Sequence, residues 1–271
     1  NRWDKALKSR EPNTMWTALT RDVSPTLGDC ELSFVDRLPI DIERARDQHE
    51  AYRRALEAWG CRVIALPAEP DFPDAVFVED VALVLDEIAI ATRPGAESRR
   101  GEVASVAREL SRFRALRAIE APGTIDGGDV LRIGRRVYVG ASQRSNAAAV
   151  AQLRALLGAY GYAVEYVPIC GCLHLKSAVT RVADGVVLVN PDWVDVDAFA
   201  AFRRIAIDPD EPHAANALQI GERVIYPTAF PRTARRLEAA GIALETVDGS
   251  GLQKAEGAVT CCSLVFRDAT P

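Results

Sequence analysis

Short apolar runs, separated by polar turns and amphipathic stretches, recur along this chain in a fixed order. Residues 81–85 and 88–91 are two apolar runs joined by an acidic dipeptide, a composition typical of a β-hairpin. Residues 100–110 then show the periodicity of an amphipathic helix, and residues 116–119 form another apolar run. The pattern therefore predicts a unit that consists of a hairpin, a helix and a third strand.

The same unit is predicted three more times. Hairpins are expected at residues 130–139, 177–189 and 216–226, helices at 146–157, 196–202 and 231–240, and third strands at 163–167 and 204–207. The last helix is expected to begin at Pro231 and to stop at Gly241, because proline favours the first turn and glycine follows the last. Four copies of one supersecondary unit are typical of a repeat architecture.

The two ends of the chain supply a fifth unit. A strand at residues 263–266 is expected to pair with a strand at 15–21, which is followed by a helix at 42–59 and a strand at 62–66. His49 lies on the apolar stripe of that helix, so we expect it to be a buried structural residue. Five units around an axis form a closed ring without a long free sheet edge, and their inner loops converge on the axis.

Composition narrows the class of protein. The 271 residues are 48% hydrophobic, and we expect a single α/β domain at 14–271 after a disordered or artificially added lead at 1–13. The net charge is −5 without a basic stripe, which argues against a nucleic-acid partner. No apolar run approaches the roughly 20 residues of a membrane helix, and the N-terminal residues show no signal-peptide core.

The cysteines indicate a reducing environment. Six cysteines without an export signal predict free thiols, and therefore a cytoplasmic protein. Structural zinc sites normally use Cys-x2-Cys pairs, a spacing that neither Cys170-Gly171-Cys172 nor Cys261-Cys262 shows. We therefore expect no structural zinc.

Candidate chemistry lies at polar positions beside predicted strands. Cys261 stands where small polar residues meet an apolar run, a setting more typical of a nucleophile than of a structural thiol. His174 stands just ahead of a predicted strand, and Asp126 lies in an acidic, glycine-flanked turn. Asp80 occupies a similar junction in another unit. We therefore predict that Cys261, His174 and Asp126 form a triad, an arrangement defined by geometry and not by spacing.

Five motifs extend this hypothesis. They are Phe77-Val78-Glu79-Asp80-Val81-Ala82, Thr92-Arg93-Pro94-Gly95-Ala96-Glu97-Ser98-Arg99-Arg100, Asp126-Gly127-Gly128-Asp129-Val130-Leu131, Leu173-His174-Leu175-Lys176-Ser177 and Thr260-Cys261-Cys262-Ser263. In this order, over about residues 15–267, the chain resembles the dimethylarginine dimethylaminohydrolase family of the guanidine-modifying, or pentein, superfamily. The resemblance implies a five-bladed α/β propeller, which agrees with the repeat pattern.

The resemblance also implies an activity. It is the hydrolysis of Nω,Nω-dimethylarginine or monomethylarginine to citrulline and an amine, with no cofactor and no required metal. Cys261 matches the nucleophile, His174 the general acid/base, and Asp126 the carboxylate that orients the histidine. An inhibitory zinc ion bound by Cys261 and His174 stays an open alternative.

Substrate contacts are implied at seven further positions. They are Asp80 with Glu79 beside it for the guanidinium, Arg99 and Arg144 for the α-carboxylate, Asp74 for the α-amino group, Leu32 in a mobile loop, and Ala255 through its backbone.

These residue types suit the chemistry of a guanidinium. The cation resists attack, so a thiolate is needed as a strong nucleophile, and a carboxylate such as Asp80 can hold the cation by charge-assisted hydrogen bonds. The departing amine must be protonated, and His174 can donate that proton and then activate water. Because carboxylates disfavour a thiolate, we expect the pKa of Cys261 to be normal or raised before substrate binds.

Several alternatives stay open at this point. An arginine deiminase or an amidinotransferase would use the same core chemistry, whereas a thiol-based zinc or redox-sensing protein would use Cys170, Cys172, Cys261 and Cys262. Asp129 is expected mainly to form hydrogen bonds in its turn. Cys262 is expected to be a strand residue that points away from its neighbour. The partner is a small-molecule substrate, and the chain is expected to be a monomer or a homodimer.

Overall fold

The computed structural model describes residues 15–268, so the predicted lead at 1–13 lies outside the described residues. In this range the strands are β1 Trp16–Arg21, β2 Arg62–Leu66, β3 Ala82–Val84, β4 Ile88–Ala91, β5 Ala115–Ala118, β6 Val130–Ile133, β7 Arg136–Ala141, β8 Ala163–Pro168, β9 Val179–Ala183, β10 Val186–Val189, β11 Arg203–Ala206, β12 Leu218–Ile220, β13 Arg223–Pro227, β14 Ala243–Val247 and β15 Leu264–Arg267. The helices are α1 Ile42–Ala58, α2 Val103–Leu110, α3 Ala147–Gly158, α4 Leu175–Ala178, α5 Pro231–Ala239 and α6 Ser250–Gln253.

The strands form five three-stranded sheets of one topology. In four of them two strands pair as an antiparallel hairpin, and the third strand runs parallel to the second, as in β3-β4-β5 and β6-β7-β8. The fifth sheet has the order β15-β1-β2 and joins the chain ends, with Trp16 opposite Arg267. The predicted repeat and the predicted pairing of the two ends are therefore confirmed.

The first strand of each sheet faces a common axis. Neighbouring first strands contact one another, as β6 does β9, β9 does β12, and β15 does β3. A cavity of about 440 Å³ runs along the axis, and each first strand contributes to its lining, with Val84, Arg132, Arg181, Gln219 and Val265. The chain is thus a five-bladed α/β propeller, as predicted.

The helices pack on the outer parts of the sheets. In α3, Leu153 and Leu157 are fully buried and belong to one hydrophobic cluster with Val137 and Val139 of β7. Full burial of one such leucine contributes about 2 kcal/mol relative to exposure, so packing holds each helix to its sheet. His49 of α1 is buried beside Tyr52, as the periodicity predicted. Within residues 15–268 no helix is both long enough and apolar enough to span a bilayer.

Some element boundaries differ from the prediction. The expected helix at 196–202 is only the 3₁₀ turn Val196–Phe199, because β11 already begins at Arg203. The strand expected from 177 starts two residues later, since Leu175–Ala178 forms a helical turn. Strand β14 was not predicted, because most of its residues are exposed and its hydrophobic pattern is weak.

Candidate active site

Cys261 lies in a turn immediately before β15 and faces the axis of the propeller. Its carbonyl accepts a hydrogen bond from the backbone N–H of Glu79 (3.2 Å), which ties the turn to another blade. Cys262 lies in the same turn, so the prediction that it is a strand residue is wrong. Its thiol donates to Ala258 O and lines a separate apolar cavity beside Tyr52. Only Cys261 faces the candidate site.

His174 and Asp126 approach each other from neighbouring blades. His174 has an extended backbone and directly precedes α4, and its Nε2 lies 3.1 Å from Asp126 Oδ2. The other oxygen of Asp126 accepts a hydrogen bond from Gly95 N at 2.9 Å. Asp126 has no exposed surface. Its carboxylate is therefore held in one orientation, with one oxygen directed at the imidazole.

The glycines after Asp126 permit this approach. A Cβ at Gly128 would lie 2.5 Å from His174 Nδ1 and 2.8 Å from Asp80 Oδ1, and one at Gly127 would lie 1.9 Å from Glu79 O. Gly128 N also donates to Asp80 Oδ1 at 3.0 Å. The pair of glycines therefore permits close packing at the axis, where a Cβ on either residue would clash.

Asp80 is buried and already forms an ion pair with Arg99. Arg99 Nη1 lies 2.6 Å from Asp80 Oδ2, and His174 Nδ1 lies 3.8 Å from Asp80 Oδ1. The Arg99 guanidinium makes five hydrogen bonds in all, to Asp80, to Glu102 through two oxygens, and to the carbonyls of Asp74 and Phe77. Binding of a substrate carboxylate by Arg99 thus requires one of these contacts to be exchanged.

Other predicted substrate contacts line the same cavity. Asp74 and Ala255 are buried there, and Asp74 Oδ2 accepts from Glu31 N at 3.0 Å. Arg144 is more available than Arg99, since its Nη1 lies 3.8 Å from Asp126 Oδ2 and its Nη2 donates to Ser33 at 3.4 Å. Leu32 is not among the lining residues, and packs half-buried on the apolar cluster that contains Cys261.

Glu79 points away from this cavity. Its Oε1 accepts from Lys176 Nζ at 2.6 Å, and its Oε2 accepts from Thr260 Oγ1 at 2.7 Å. Glu79 and Lys176 line the 440 Å³ cavity at the other end of the axis. The structure therefore brings Asp80 to the candidate site and places its sequence neighbour Glu79 behind it.

The electrostatics set the protonation states. Burial, followed by the negative charges of Asp80 and Glu79, raises the pKa of the Cys261 thiol well above its usual value. Burial alone would lower the pKa of His174, but Asp80, Asp126 and Asp129 outweigh burial and raise this pKa to about 9. At neutral pH the site thus pairs a neutral thiol with a protonated imidazole.

Glu256, which binds the backbone of residues 33–35 beside the cavity, was not predicted from the sequence. Glu256 accepts hydrogen bonds from the backbone N–H groups of Ser33 (3.0 Å), Phe34 and Val35 (2.9 Å). It also lines the cavity, and its φ of 57° is left-handed. These contacts join positions more than 200 residues apart, so no local pattern indicates them. The cavity holds about 20 Å³, roughly room for one water molecule, so a larger ligand requires some of the lining side chains to shift.

One group of side chains has the donor atoms of a cation site. Asp80, Asp126 and His174 each place a carboxylate or imidazole atom within 4.8 Å of the others. Arg99 and Gly95 already occupy oxygens of the two carboxylates. One oxygen of each carboxylate is therefore already bonded to a donor of the protein.

Comparison with known proteins is consistent with this arrangement. The sequence profile of the family described as N,N dimethylarginine dimethylhydrolase, eukaryotic, matches residues 36–198. The chain is 41% identical to the N(G),N(G)-dimethylarginine dimethylaminohydrolase of Streptomyces coelicolor, over 93% of this chain and 97% of that protein.

Solved structures match the whole propeller. A mutant of the Pseudomonas aeruginosa dimethylarginine dimethylaminohydrolase complexed with citrulline superimposes with a TM-score of 0.89 at 36% identity, covering 93% of this chain and all of that one. The N-terminal domain of a cyanobacterial arginine dihydrolase, at 19% identity, gives a TM-score of 0.84 over 94% and 98% of the two chains. The second likeness shows the shared fold alone.

Proposed function

The chain belongs to the dimethylarginine dimethylaminohydrolase family, and we propose that it hydrolyses Nω,Nω-dimethylarginine, and Nω-monomethylarginine, to citrulline and dimethylamine or methylamine. The observation that carries this proposal is that Cys261, His174 and Asp80 line one buried cavity, with Asp126 hydrogen-bonded to the imidazole. A nucleophile, a proton donor and an anion for the guanidinium are the three groups that this reaction needs.

Substrate binding uses the charges of the cavity. Asp80 holds the guanidinium by charge-assisted hydrogen bonds after exchange with part of the Arg99 contact. Arg144, assisted by Arg99, binds the α-carboxylate, since an arginine fork matches that group. Asp74 binds the α-amino group, and the backbone of Ala255 and the segment around Leu32 enclose the substrate. Glu79 acts from behind Asp80, through Lys176 and Thr260.

The first chemical step forms the covalent intermediate. The cationic substrate lowers the pKa of the neighbouring Cys261 thiol, and the thiol proton leaves to solvent. The sulfur attacks the central guanidinium carbon and forms an S–C bond. The C–N bond to the methylated nitrogen then breaks, and His174 gives its proton to the departing amine.

The second step is hydrolysis. Water replaces the amine beside His174, which now is neutral and takes a proton from the water as the oxygen attacks the same carbon. The S–C bond breaks and its electron pair returns to the sulfur of Cys261, while the proton of the new hydroxyl group passes to that sulfur as the C=O bond of citrulline forms. Citrulline and the free enzyme result, with Asp126 holding the imidazole in one tautomer throughout.

The test compares three substrates in parallel. Purified protein is incubated with dimethylarginine, monomethylarginine and arginine, and citrulline and the released amines are quantified. We expect dimethylamine and citrulline in equal amounts from dimethylarginine, methylamine from monomethylarginine, and far less citrulline from arginine. A higher kcat/KM for arginine, with release of ammonia, would instead identify a deiminase.

The remaining expectations form part of the same proposal. All six cysteines are free thiols, which supports a reducing, cytoplasmic location. One catalytic domain at 14–271, acting as a monomer or homodimer without nucleic acid, membrane or cofactor, suffices for the steps above. Zinc at Cys261 and His174 is expected to inhibit, and titration of activity with zinc and a chelator tests this.

A further inference from the structure

Asp129 is a completely buried carboxylate close to the proposed triad. Its Oδ1 accepts a hydrogen bond from Leu175 N at 3.0 Å, and its Oδ2 accepts from the hydroxyls of Ser142 and of Ser145, the latter at 2.6 Å. The turn that contains Asp129 is closed by its backbone, through Asp129 N to Asp126 O at 3.1 Å. The expectation that this residue mainly serves its own turn is therefore wrong, because its side chain reaches two other segments.

Each of these contacts leads to a residue of the proposed mechanism. Leu175 directly follows His174. The Ser142 hydroxyl accepts from Arg144 N at 3.0 Å, and the Ser145 hydroxyl accepts from Asp126 N at 3.3 Å. One carboxylate thus connects the backbone positions of the imidazole, of its orienting carboxylate and of the arginine that we assign to the substrate carboxylate.

The backbone packs closely around the Asp129 carboxylate. A Cβ at Gly140 would lie 2.7 Å from Asp129 Oδ1 and 2.9 Å from the Leu175 side chain, so the glycine makes room for the carboxylate. Burial raises the pKa of Asp129 to about 6, although His174 and the two serine hydroxyls oppose this effect. A carboxylate held ionised in this position at neutral pH costs stability, which indicates a role beyond packing.

We propose that Asp129 is a positioning residue of the reaction described above, which fixes the segments that carry Asp126, Arg144 and His174. This proposal rests on the proposed function. Asp129 has a second effect, because its negative charge also favours the protonated imidazole of His174, which must donate to the leaving amine. The residue acts through its neighbours and does not line the cavity that receives the substrate.

Two substitutions separate the geometric effect from the charge effect. Asp129→Asn keeps an acceptor for Leu175 N and a group that can pair with the serine hydroxyls, but removes the charge. We expect a modest loss of kcat, about tenfold, and a descending limb of the pH–rate profile that moves to lower pH. Asp129→Ala removes both effects and is expected to lower kcat by about 100-fold, the scale of a 1 Å misplacement.

The control is Thr233→Ala, in a different blade. Thr233 is fully buried and its hydroxyl accepts from Asp208 N at 2.9 Å, so its loss destabilises the fold without touching the site. We expect its kcat and pH profile to match those of the wild type. If Asp129→Ala does not fold, the double variant Ser142→Ala/Ser145→Ala replaces it. Its expected loss of kcat is intermediate between those of Asp129→Asn and Asp129→Ala.

A readout that needs no substrate keeps this proposal separate from the proposed function. The titration of His174 is followed by NMR of the imidazole in the wild type and in Asp129→Asn, with His49→Gln and His213→Gln used to assign the signals. A lower His174 pKa in Asp129→Asn supports the proposal even if dimethylarginine is not the substrate. An unchanged pH profile and an unchanged His174 pKa in that variant, or a loss in Thr233→Ala equal to that in Asp129→Ala, would overturn it.

Discussion

The two ends of the propeller axis are built from the same stretches of chain and differ in how their charges are compensated. At one end Asp80, Asp126, His174 and Cys261 meet around a narrow cavity. At the other end their sequence neighbours, among them Glu79, Gly127, Lys176 and Thr260, line a cavity of about 440 Å³. Glu79 and Asp80 are thus adjacent in sequence but line cavities at opposite ends of the axis, and the same holds for Thr260 and Cys261.

The comparison shows what distinguishes a reactive end from a structural one. Glu79 is matched by Lys176 at 2.6 Å and by the Thr260 hydroxyl, so its charge is neutralised locally. At the other end Asp80 contacts both Arg99 and the His174 imidazole, and the Cys261 thiol is kept protonated by burial and by negative charge. A cationic substrate can therefore promote the ionisation of a thiol at one end only.

The sharpest test of this difference is the adjacent cysteine pair. Cys261→Ser is expected to lower kcat by about 10⁴-fold or more, because the sulfur forms the covalent bond. Cys262→Ser, with its side chain in the apolar cavity behind the site, should retain most of the activity and lose some stability. Steady-state amine release and thermal melts measure both. Inactivity of the Cys262 variant alone would reverse the assignment of the two thiols.

Removal of the orienting carboxylate tests the reactive end next. Asp126→Asn is expected to lower kcat by on the order of 10⁴-fold, as loss of the third member does in comparable triads. Because the imidazole must be protonated to donate, wild-type kcat/KM should fall as pH rises through about 9. In the variant that descending limb should move to lower pH. Asp184→Asn, an exposed turn residue, provides the control and should retain the wild-type profile.

At the structural end, Lys176→Met leaves Glu79 buried without its cation. We expect the free energy of unfolding at neutral pH to fall by about 3 kcal/mol. Burial already raises the pKa of Glu79, and Lys176 opposes this, so the variant raises it further. The folded state then keeps a proton that the unfolded state loses as pH rises, so the defect should shrink as pH is lowered through the new pKa.

Two further variants serve as controls for Lys176→Met. The double variant Glu79→Gln/Lys176→Met removes both charges and should recover most of the stability. Arg46→Met breaks the exposed ion pair with Glu43 and should change the free energy of unfolding by less than about 1 kcal/mol. Denaturant titrations at several pH values measure all of them. A pH-independent defect in Lys176→Met would mean that the loss comes from packing and not from charge.

The smallest effect is expected for substitution of Arg144, which we assign to the α-carboxylate of the substrate. Arg144→Lys should raise KM for dimethylarginine about tenfold with little change in kcat, because an ammonium cannot reproduce the two-pronged contact of a guanidinium. A substrate analogue without the α-carboxylate should bind the wild type and the variant almost equally. An equal loss for both ligands would place Arg144 in another role, such as support of Asp126, which lies 3.8 Å away.

Much of the fold was predictable because it depends on local patterns. The hairpins follow from apolar runs and turn composition, and the pairing of the chain ends follows from completing a fifth copy of the repeated unit. The parallel direction of the third strands was not predicted. Strand β14 was missed because it is mostly exposed, and the helix at 196–202 was overestimated because the chain turns into β11 after one turn. Strands β14 and β11 are each fixed by parallel pairing with the middle strand of their own sheet, which a local pattern does not show.

The sequence by itself determined the repeated unit and the residue types of the proposed triad, which lie in turns ahead of the first strands of their sheets. Only the tertiary structure decided that Arg99 pairs with Asp80 and that Glu79 turns away from the candidate substrate cavity. It also decided that Glu256 binds the backbone of residues 33–35. The physical reason is that hydrophobic period and turn chemistry act over a few residues. The direction of a buried charge depends instead on which partners distant blades bring within hydrogen-bond reach at the axis.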